Sequence, residues 1–277
     1  MQIVREIITL PDSLAELRKR GRVALVPTMG ALHEGHLALI AEARRRAQSV
    51  VATIFVNPLQ FNDAADLERY PRQSESDLAK LKSVGCDLVW LPGAADLYPA
   101  GFATSVHVAG VSERWEGEHR PGHFDGVATV VAKLFVATMP DVAVFGEKDF
   151  QQLAVIRRMT ADLGLPIEII GHATVREPDG LAMSSRNALL SAEQRKQAPV
   201  LFVALGEAAA RIAAGGNVEA ALERARDALA ASFEAVDYCA YVDGMTLAPL
   251  GAFAPGGRLI AAAHLGDVRL IDNVRVD

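Results

Sequence analysis

VALVPTMGALHEGHLALIAEARRRA, Val23 to Ala47, decides the fold. Val23 to Val26 reads as a buried strand that continues to Thr28. After His36 the positions Leu37, Leu39, Ile40 and Ala43 recur with a helical period, predicting a helix from His36 to Ala47. Gly30 and Gly35 bracket the turn between strand and helix. They let backbone N–H groups approach an anion, and the new helix aims its unpaired first donors at the same spot. His33 and His36 stand at i and i+3 and so share one face of the first turn. Two imidazole donors there can hold charge developing on a reacting phosphoryl group. HEGH is not the zinc pattern HExxH, whose histidines are four apart, and no third ligand cluster accompanies it.

Outward from this unit the same alternation repeats. Strand-like runs at Val50 to Val56, Asp87 to Leu91, Val142 to Gly146 and Pro166 to Gly171 are separated by helical patterns at Ser74 to Val84, Gly126 to Thr138 and Phe150 to Leu163. Continuous apolar strands between helices predict an α/β domain over residues 1–175, a doubly wound, Rossmann-like parallel sheet covered on both faces. Its ligands are expected beyond the carboxyl ends of the strands. After about residue 175 the pattern changes. Ser191 reads as the N-cap of a helix to about Ala214, closed by Gly215-Gly216, and a second helix runs from Val218 to Ala235. Three strand-like runs follow, Tyr238 to Val242, Arg258 to His264 and Val268 to Val274, the last two joined by Leu265-Gly266-Asp267. Residues 176–277 are therefore expected to form a second, smaller α+β domain that packs as a cover.

The 277 residues suffice for one large or two ordinary domains with a sizeable core. A net charge of −6 argues against a nucleic-acid-coating surface, so phosphate recognition should be local. Cys86 and Cys239 lie far apart and form no CxxC, which makes a reduced, cytosolic setting the expectation. MQIVREIITL lacks the cationic start and long apolar core of a signal peptide, and no apolar run reaches membrane-spanning length.

Three further clusters carry chemistry. In FVNPLQF, Phe55 to Phe61, Asn57-Pro58 stops a strand and Gln60 projects an amide that both donates and accepts; an ordinary turn explains Asn-Pro equally well. In GEKDFQQ, Gly146 to Gln152, Lys148 can pair with phosphate and Gln152 lies one turn along a new helix, although a solvated helix start reads the same way. In DGLAMSSRN, Asp179 to Asn187, the hydroxyls of Ser184 and Ser185 and the guanidinium of Arg186 can fold over phosphate oxygens, although a capped helix start in an exposed loop reads the same way.

Six motifs in this order, PTMGALHEGH, FVNPLQF, YPR (Tyr70 to Arg72), RPGHFDGV (Arg120 to Val127), GEKDFQQ and DGLAMSSRN, closely resemble the pantothenate synthetase family, the pantoate and β-alanine ligases. The resemblance covers nearly the whole chain. It implies a homodimeric cytosolic enzyme using Mg2+ and ATP as in the wider HxGH nucleotidyltransferase class, with the second domain as a lid. It further implies that pantoate attacks ATP to give pantoyl adenylate and pyrophosphate, after which β-alanine displaces AMP.

By the same resemblance His33 and His36 contact ATP phosphates, with His36 the proton donor, while Lys148, Ser184, Ser185 and Arg186 stabilise departing pyrophosphate. Met29, Gly30, Ala31, Leu32, Glu34 and Gly35 complete the first ATP-binding loop. Gly146, Glu147, Asp149, Val175 and Met183 line the rest of the nucleotide site. Gln60 and Gln152 bind pantoate oxygens, and Met29, Val130 and Val131 pack its gem-dimethyl group. One departure is the loop NDAADLER, Asn62 to Arg69, where the family often carries an acidic pair; Asp66 is the candidate there and stays unassigned. Asp77 is the candidate carboxylate for Mg2+, with most coordination from ATP and water. A nucleotidyltransferase that leaves the nucleotide on its product, and a nucleotide-binding regulatory module, are the competing readings.

Overall fold

Six strands, β1 (Gln2–Val4), β2 (Val23–Thr28), β3 (Ser49–Ile54), β4 (Leu88–Trp90), β5 (Val142–Gly146) and β6 (Glu168–His172), pair in parallel in the order β1-β4-β3-β2-β5-β6. This is the doubly wound sheet that the alternating pattern predicts. The computed structural model describes residues 1–62 and 64–277, with side chains for all of these except residues 64–66. Asp66, the candidate in the altered loop, thus lies outside the described side chains.

Strand β2 is buried along most of its length because helices cover both faces of the sheet. Ala24 and Val26 join a core cluster with Leu39, Ile40 and Ala43 of the helix Glu34–Arg46, while Val23 and Leu25 turn to the opposite face by the two-residue alternation. Each Val, Leu or Ile so buried contributes roughly 1.5–3 kcal/mol relative to exposure. Strand β2 pairs with β3 on one side and β5 on the other, so the chain reverses its direction of winding there. The loop after β2 and the loop after β5 therefore leave the sheet at neighbouring carboxyl ends, where such folds place their ligands.

Contacts divide the chain into two units, Met1–Glu147 with Val155–Ala173, and Lys148–Ala154 with Thr174–Asp277. The division falls two residues before the expected position and gives the segment around Lys148 to the second unit. That unit holds an antiparallel sheet of β7 (Ala235–Val242), β8 (Arg258–Leu265) and β9 (Val268–Arg275). Its inward residues Tyr241, Leu259, Ala261 and Ala263 pack with Leu205 and Ile212 of the helix Val200–Ala213 and Leu222 and Leu229 of the helix Val218–Ala230.

Two expectations need correcting. The helix expected from Ser191 to Ala214 is two helices, Ala192–Gln197 and Val200–Ala213, because Pro199 has no N–H to continue the ladder. The helix expected to reach Ala235 stops at Ala230, and Ala235 opens β7 instead. The strand β1 and the helix Leu10–Arg18, with Pro11 in its first turn, were not anticipated.

Candidate active site

Between Thr28 and the helix Glu34–Arg46 the backbone passes through two consecutive left-handed residues, Gly30 at φ +85° and Ala31 at φ +50°. Glycine takes that conformation freely, but alanine does so only when neighbours compensate. The compensation comes from the helix Ser74–Ser83. Asp77, only 1% exposed, accepts from the Ala31 N–H at 2.9 Å through Oδ2 and from the Leu32 N–H at 2.8 Å through Oδ1. Lys80 Nζ donates to the Leu32 carbonyl at 2.7 Å, and the Leu32 side chain is buried in the core. Thr28 Oγ1 accepts from the Gly30 N–H at 3.3 Å. Asp77 was expected at Mg2+. Burial and the commitment of both oxygens to backbone amides make it the anchor of this loop instead.

The helix begins two residues earlier than predicted because His33 is its N-cap. His33 Nδ1 accepts from the Gly35 N–H at 3.2 Å, and His36 Nδ1 accepts from the His33 N–H at 3.3 Å. This reciprocal capping consumes both Nδ1 lone pairs, so each neutral ring carries its hydrogen on Nε2. The ring centroids lie 4.1 Å apart. The loop thus joins two Nε2–H donors to a helix N-terminus, while Glu34 is exposed at the first turn.

FVNPLQF forms a single 3₁₀ turn, Pro58–Gln60, capped by Asn57. Asn57 is 1% exposed, and its Oδ1 accepts from the Tyr98 hydroxyl at 2.7 Å and the Leu59 N–H at 3.3 Å. Burial pushes the Tyr98 phenol up to about 12, so the hydroxyl is the donor at neutral pH. With Oδ1 occupied by donors, Asn57 Nδ2 donates to the Gly126 carbonyl at 3.0 Å and to Gln60 Oε1 at 3.1 Å. Polarity is passed along: Gln60 spends its oxygen inward and turns Nε2 toward Met29 Sδ, 2.8 Å away. A thioether is a weak acceptor, so this amide nitrogen can still serve a substrate oxygen. Sequence reading credited Gln60 with both donor and acceptor; the structure has it present the donor. It also adds Asn57 and Tyr98, whose part was hidden because Asn-Pro reads as an ordinary turn. The helix His123–Thr138 approaches this turn so closely that a Cβ on Gly126 would fall 2.2 Å from the Leu59 carbonyl oxygen. Val130 and Val131 are buried on the same helix.

The remaining expected residues are shared out between the two units. Gly146 and Glu147 belong to the first unit, and Lys148, Asp149 and Gln152 to the second. Lys148 is held through its carbonyl, which accepts from Asn273 Nδ2 at 2.9 Å. Val175 and Met183 are brought together, with the Met183 N–H donating to the Val175 carbonyl at 3.0 Å. Ser184 caps the short turn Ser185–Leu189 by accepting from the Arg186 N–H at 3.3 Å. The loop is tied to its own unit by several groups. Arg176 pairs in bidentate fashion with buried Asp272 at 2.6 and 2.9 Å, donates to the Gly180 carbonyl at 3.0 Å and stacks on Phe202. Asp179 pairs with Arg195 at 2.6 Å, and that hydrogen bond holds its carboxyl below the usual range.

Among the described residues no group of three or more His, Cys, Asp or Glu side chains is placed to hold a metal ion. Among the same residues no helix is long and apolar enough to cross a membrane.

Comparison with known proteins gives one consistent result. The family model described as pantoate-beta-alanine ligase matches residues 2–275. The pantothenate synthetase of Rhizorhabdus wittichii is 58% identical over 279 aligned positions, covering 100% of this chain and 99% of that protein. A crystal structure of pantothenate synthetase from Thermus thermophilus is 51% identical with a TM-score of 0.95, covering 100% of this chain and 99% of that one. A pantoate-beta-alanine ligase from Francisella tularensis, solved in complex with beta-gamma ATP and beta-alanine, is 32% identical with a TM-score of 0.83, covering 99% of this chain and 97% of that one.

Proposed function

The chain belongs to the pantoate-beta-alanine ligase family, and on that premise we propose that it activates pantoate as an acyl adenylate before joining it to β-alanine. The chemistry requires activation, because a carboxylate would have to expel an oxide to accept an amine. In the proposed first step a pantoate carboxylate oxygen attacks the α-phosphorus of ATP, the bond to the bridging oxygen breaks, and pyrophosphate leaves with that electron pair. The amine of β-alanine then attacks the acyl carbon, AMP leaves as a stable phosphate monoester, and the amine's surplus proton passes to a phosphate oxygen or solvent. In-line transfer asks the protein mainly for positioning and charge stabilisation.

The observation that carries this reading is the reciprocal capping of His33 and His36, which engages both Nδ1 atoms and sets the two rings side by side at a helix N-terminus. Their Nε2–H donors serve the triphosphate, and His36 is assigned the charge developing during transfer. Gln60 gives its amide N–H to a pantoate oxygen, Gln152 contacts a second one, and Met29, Val130 and Val131 pack the gem-dimethyl group. Lys148, Ser184, Ser185 and Arg186 hold the pyrophosphate oxygens, while Gly146, Glu147, Asp149, Val175 and Met183 line the nucleoside side. Mg2+ enters as the counter-ion of the triphosphate, no protein cage for it is proposed, and no step depends on a protein ligand to it. The second unit is read as the lid that keeps water from the acyl adenylate, its phosphate loop moving with it because Arg176 and Asp179 tether that loop to it. The cytosolic setting and homodimer implied by the resemblance belong to the same proposal.

The test follows AMP and pyrophosphate from protein, Mg-ATP and pantoate with and without β-alanine. Catalytic AMP release that needs both organic substrates supports the ligase. Nucleotide retained in a stable final product would replace it with a nucleotidyltransferase.

A further inference from the structure

RPGHF, Arg120 to Phe124, has no part in the roles assigned so far, yet its side chains converge on Gln60. The 3₁₀ turn that carries Gln60 is one turn long, and such a turn has too few hydrogen bonds to hold its own geometry. The Gln60 carbonyl accepts from His123 Nδ1 at 2.8 Å and from Arg120 Nη2 at 3.2 Å. Arg120 Nη1 lies 3.3 Å from His123 Nε2. Because a guanidinium can only donate, Nε2 accepts and the ring carries its hydrogen on Nδ1, the tautomer the carbonyl needs. Glu116, buried like His123, stands 3.7 Å from the same guanidinium and orients it.

We propose that Arg120 and His123 are positioning residues for pantoate, clamping the Gln60 carbonyl so that the Gln60 amide is aimed at the substrate. This rests on the reading of Gln60 as a pantoate ligand. The carbonyl clamp and the Asn57 bond to Gln60 Oε1 fix the residue at both ends, and Nε2, set against the weak acceptor Met29 Sδ, is the atom turned to a ligand. His123 opens the helix that carries Val130 and Val131, so the polar and apolar contacts to pantoate are set by one rigid element.

The test uses the full-length enzyme with His123→Phe, His123→Asn, Gln60→Leu and the double variant His123→Phe/Gln60→Leu. The readouts are KM for pantoate, KM for ATP and thermal melting. His123→Phe removes the donor and should raise pantoate KM about 5- to 30-fold while ATP KM stays within about twofold. His123→Asn, whose amide nitrogen falls near the position of Nδ1, should recover most of that loss. In the Gln60→Leu background His123→Phe should add less than about twofold, because its effect runs through Gln60. Equal rises in both KM values, no rise at all, or an undiminished effect on Gln60→Leu would overturn the positioning role. Unchanged pantoate KM in Gln60→Leu itself would show instead that the Gln60 reading fails, and the inference with it. Should His123→Phe not fold, Arg120→Lys carries the test, since it keeps the charge facing Glu116 but loses the fork that reaches both partners. The same split between the two KM values is expected of it, and its absence overturns the proposal.

Discussion

Replacing Asp77 should unfasten the loop from Gly30 to His33 without removing a side chain assigned to a substrate. Its carboxylate takes N–H groups of Ala31 and Leu32 at 2.9 and 2.8 Å from a site that is 1% exposed. Asp77→Ala leaves two amides with no acceptor, at about 1–3 kcal/mol each, or about 2–6 kcal/mol in all. Set against a typical total of about 5–15 kcal/mol, that loss endangers folding, so Asp77→Asn is the sharper perturbation. It keeps one acceptor and sets an NH2 against the other N–H, for an expected loss of about 1–3 kcal/mol. Ala31 at φ +50° adds a local term, since a left-handed alanine costs roughly 1–2 kcal/mol that these bonds offset. Once released, the loop should relax and carry His33 and His36 out of register, and a misplacement of about 1 Å costs on the order of 100-fold in rate. Urea unfolding gives the stability, and turnover at saturating substrates gives kcat. Wild-type kcat with a stability change below about 0.5 kcal/mol in Asp77→Asn would refute the anchoring role.

His36→Ala should lose about 100- to 1000-fold in kcat while ATP affinity by calorimetry changes little, because its donor serves developing charge; near-normal turnover would sink that assignment. Arg186→Ala should slow adenylate formation in a single turnover without β-alanine, and a wild-type rate there would reduce the loop to a linker. Burial raises the Asp237 carboxyl, but hydrogen bonds from Arg269 and His264 outweigh it and hold the group below its ordinary range. A depressed folded-state value means stability present above the unfolded-state value and lost as pH falls through the folded one. The stability advantage of wild type over Asp237→Asn should therefore be present above the ordinary aspartate range and shrink as pH falls below it; a gap undiminished in strong acid contradicts this.

Strands β2 and β5 were legible to the residue because each is a continuous apolar run buried on both faces and bounded by loop signals. The short edge strand β1 was not, since three residues with two exposed positions carry no such signal. Pro199 was present to be read, and an alanine-rich helical pattern on either side masked the break. The histidine pair was legible because its partners are local, within three residues in the chain. The roles of Asp77, Asn57 and His123 went unread for the opposite reason. Their decisive hydrogen bonds reach 45, 69 and 63 positions away, and only the fold brings those atoms together.

Attack of pantoate on the α-phosphorus of ATP is decided by a turnover with pantoate carrying 18O in its carboxylate, with the products read by mass spectrometry. One 18O is expected in the phosphate of AMP and none in pyrophosphate, because the attacking carboxylate oxygen stays with phosphorus when the amine displaces AMP. Label appearing in inorganic phosphate with release of ADP would place the attack at the γ-phosphorus and contradict it.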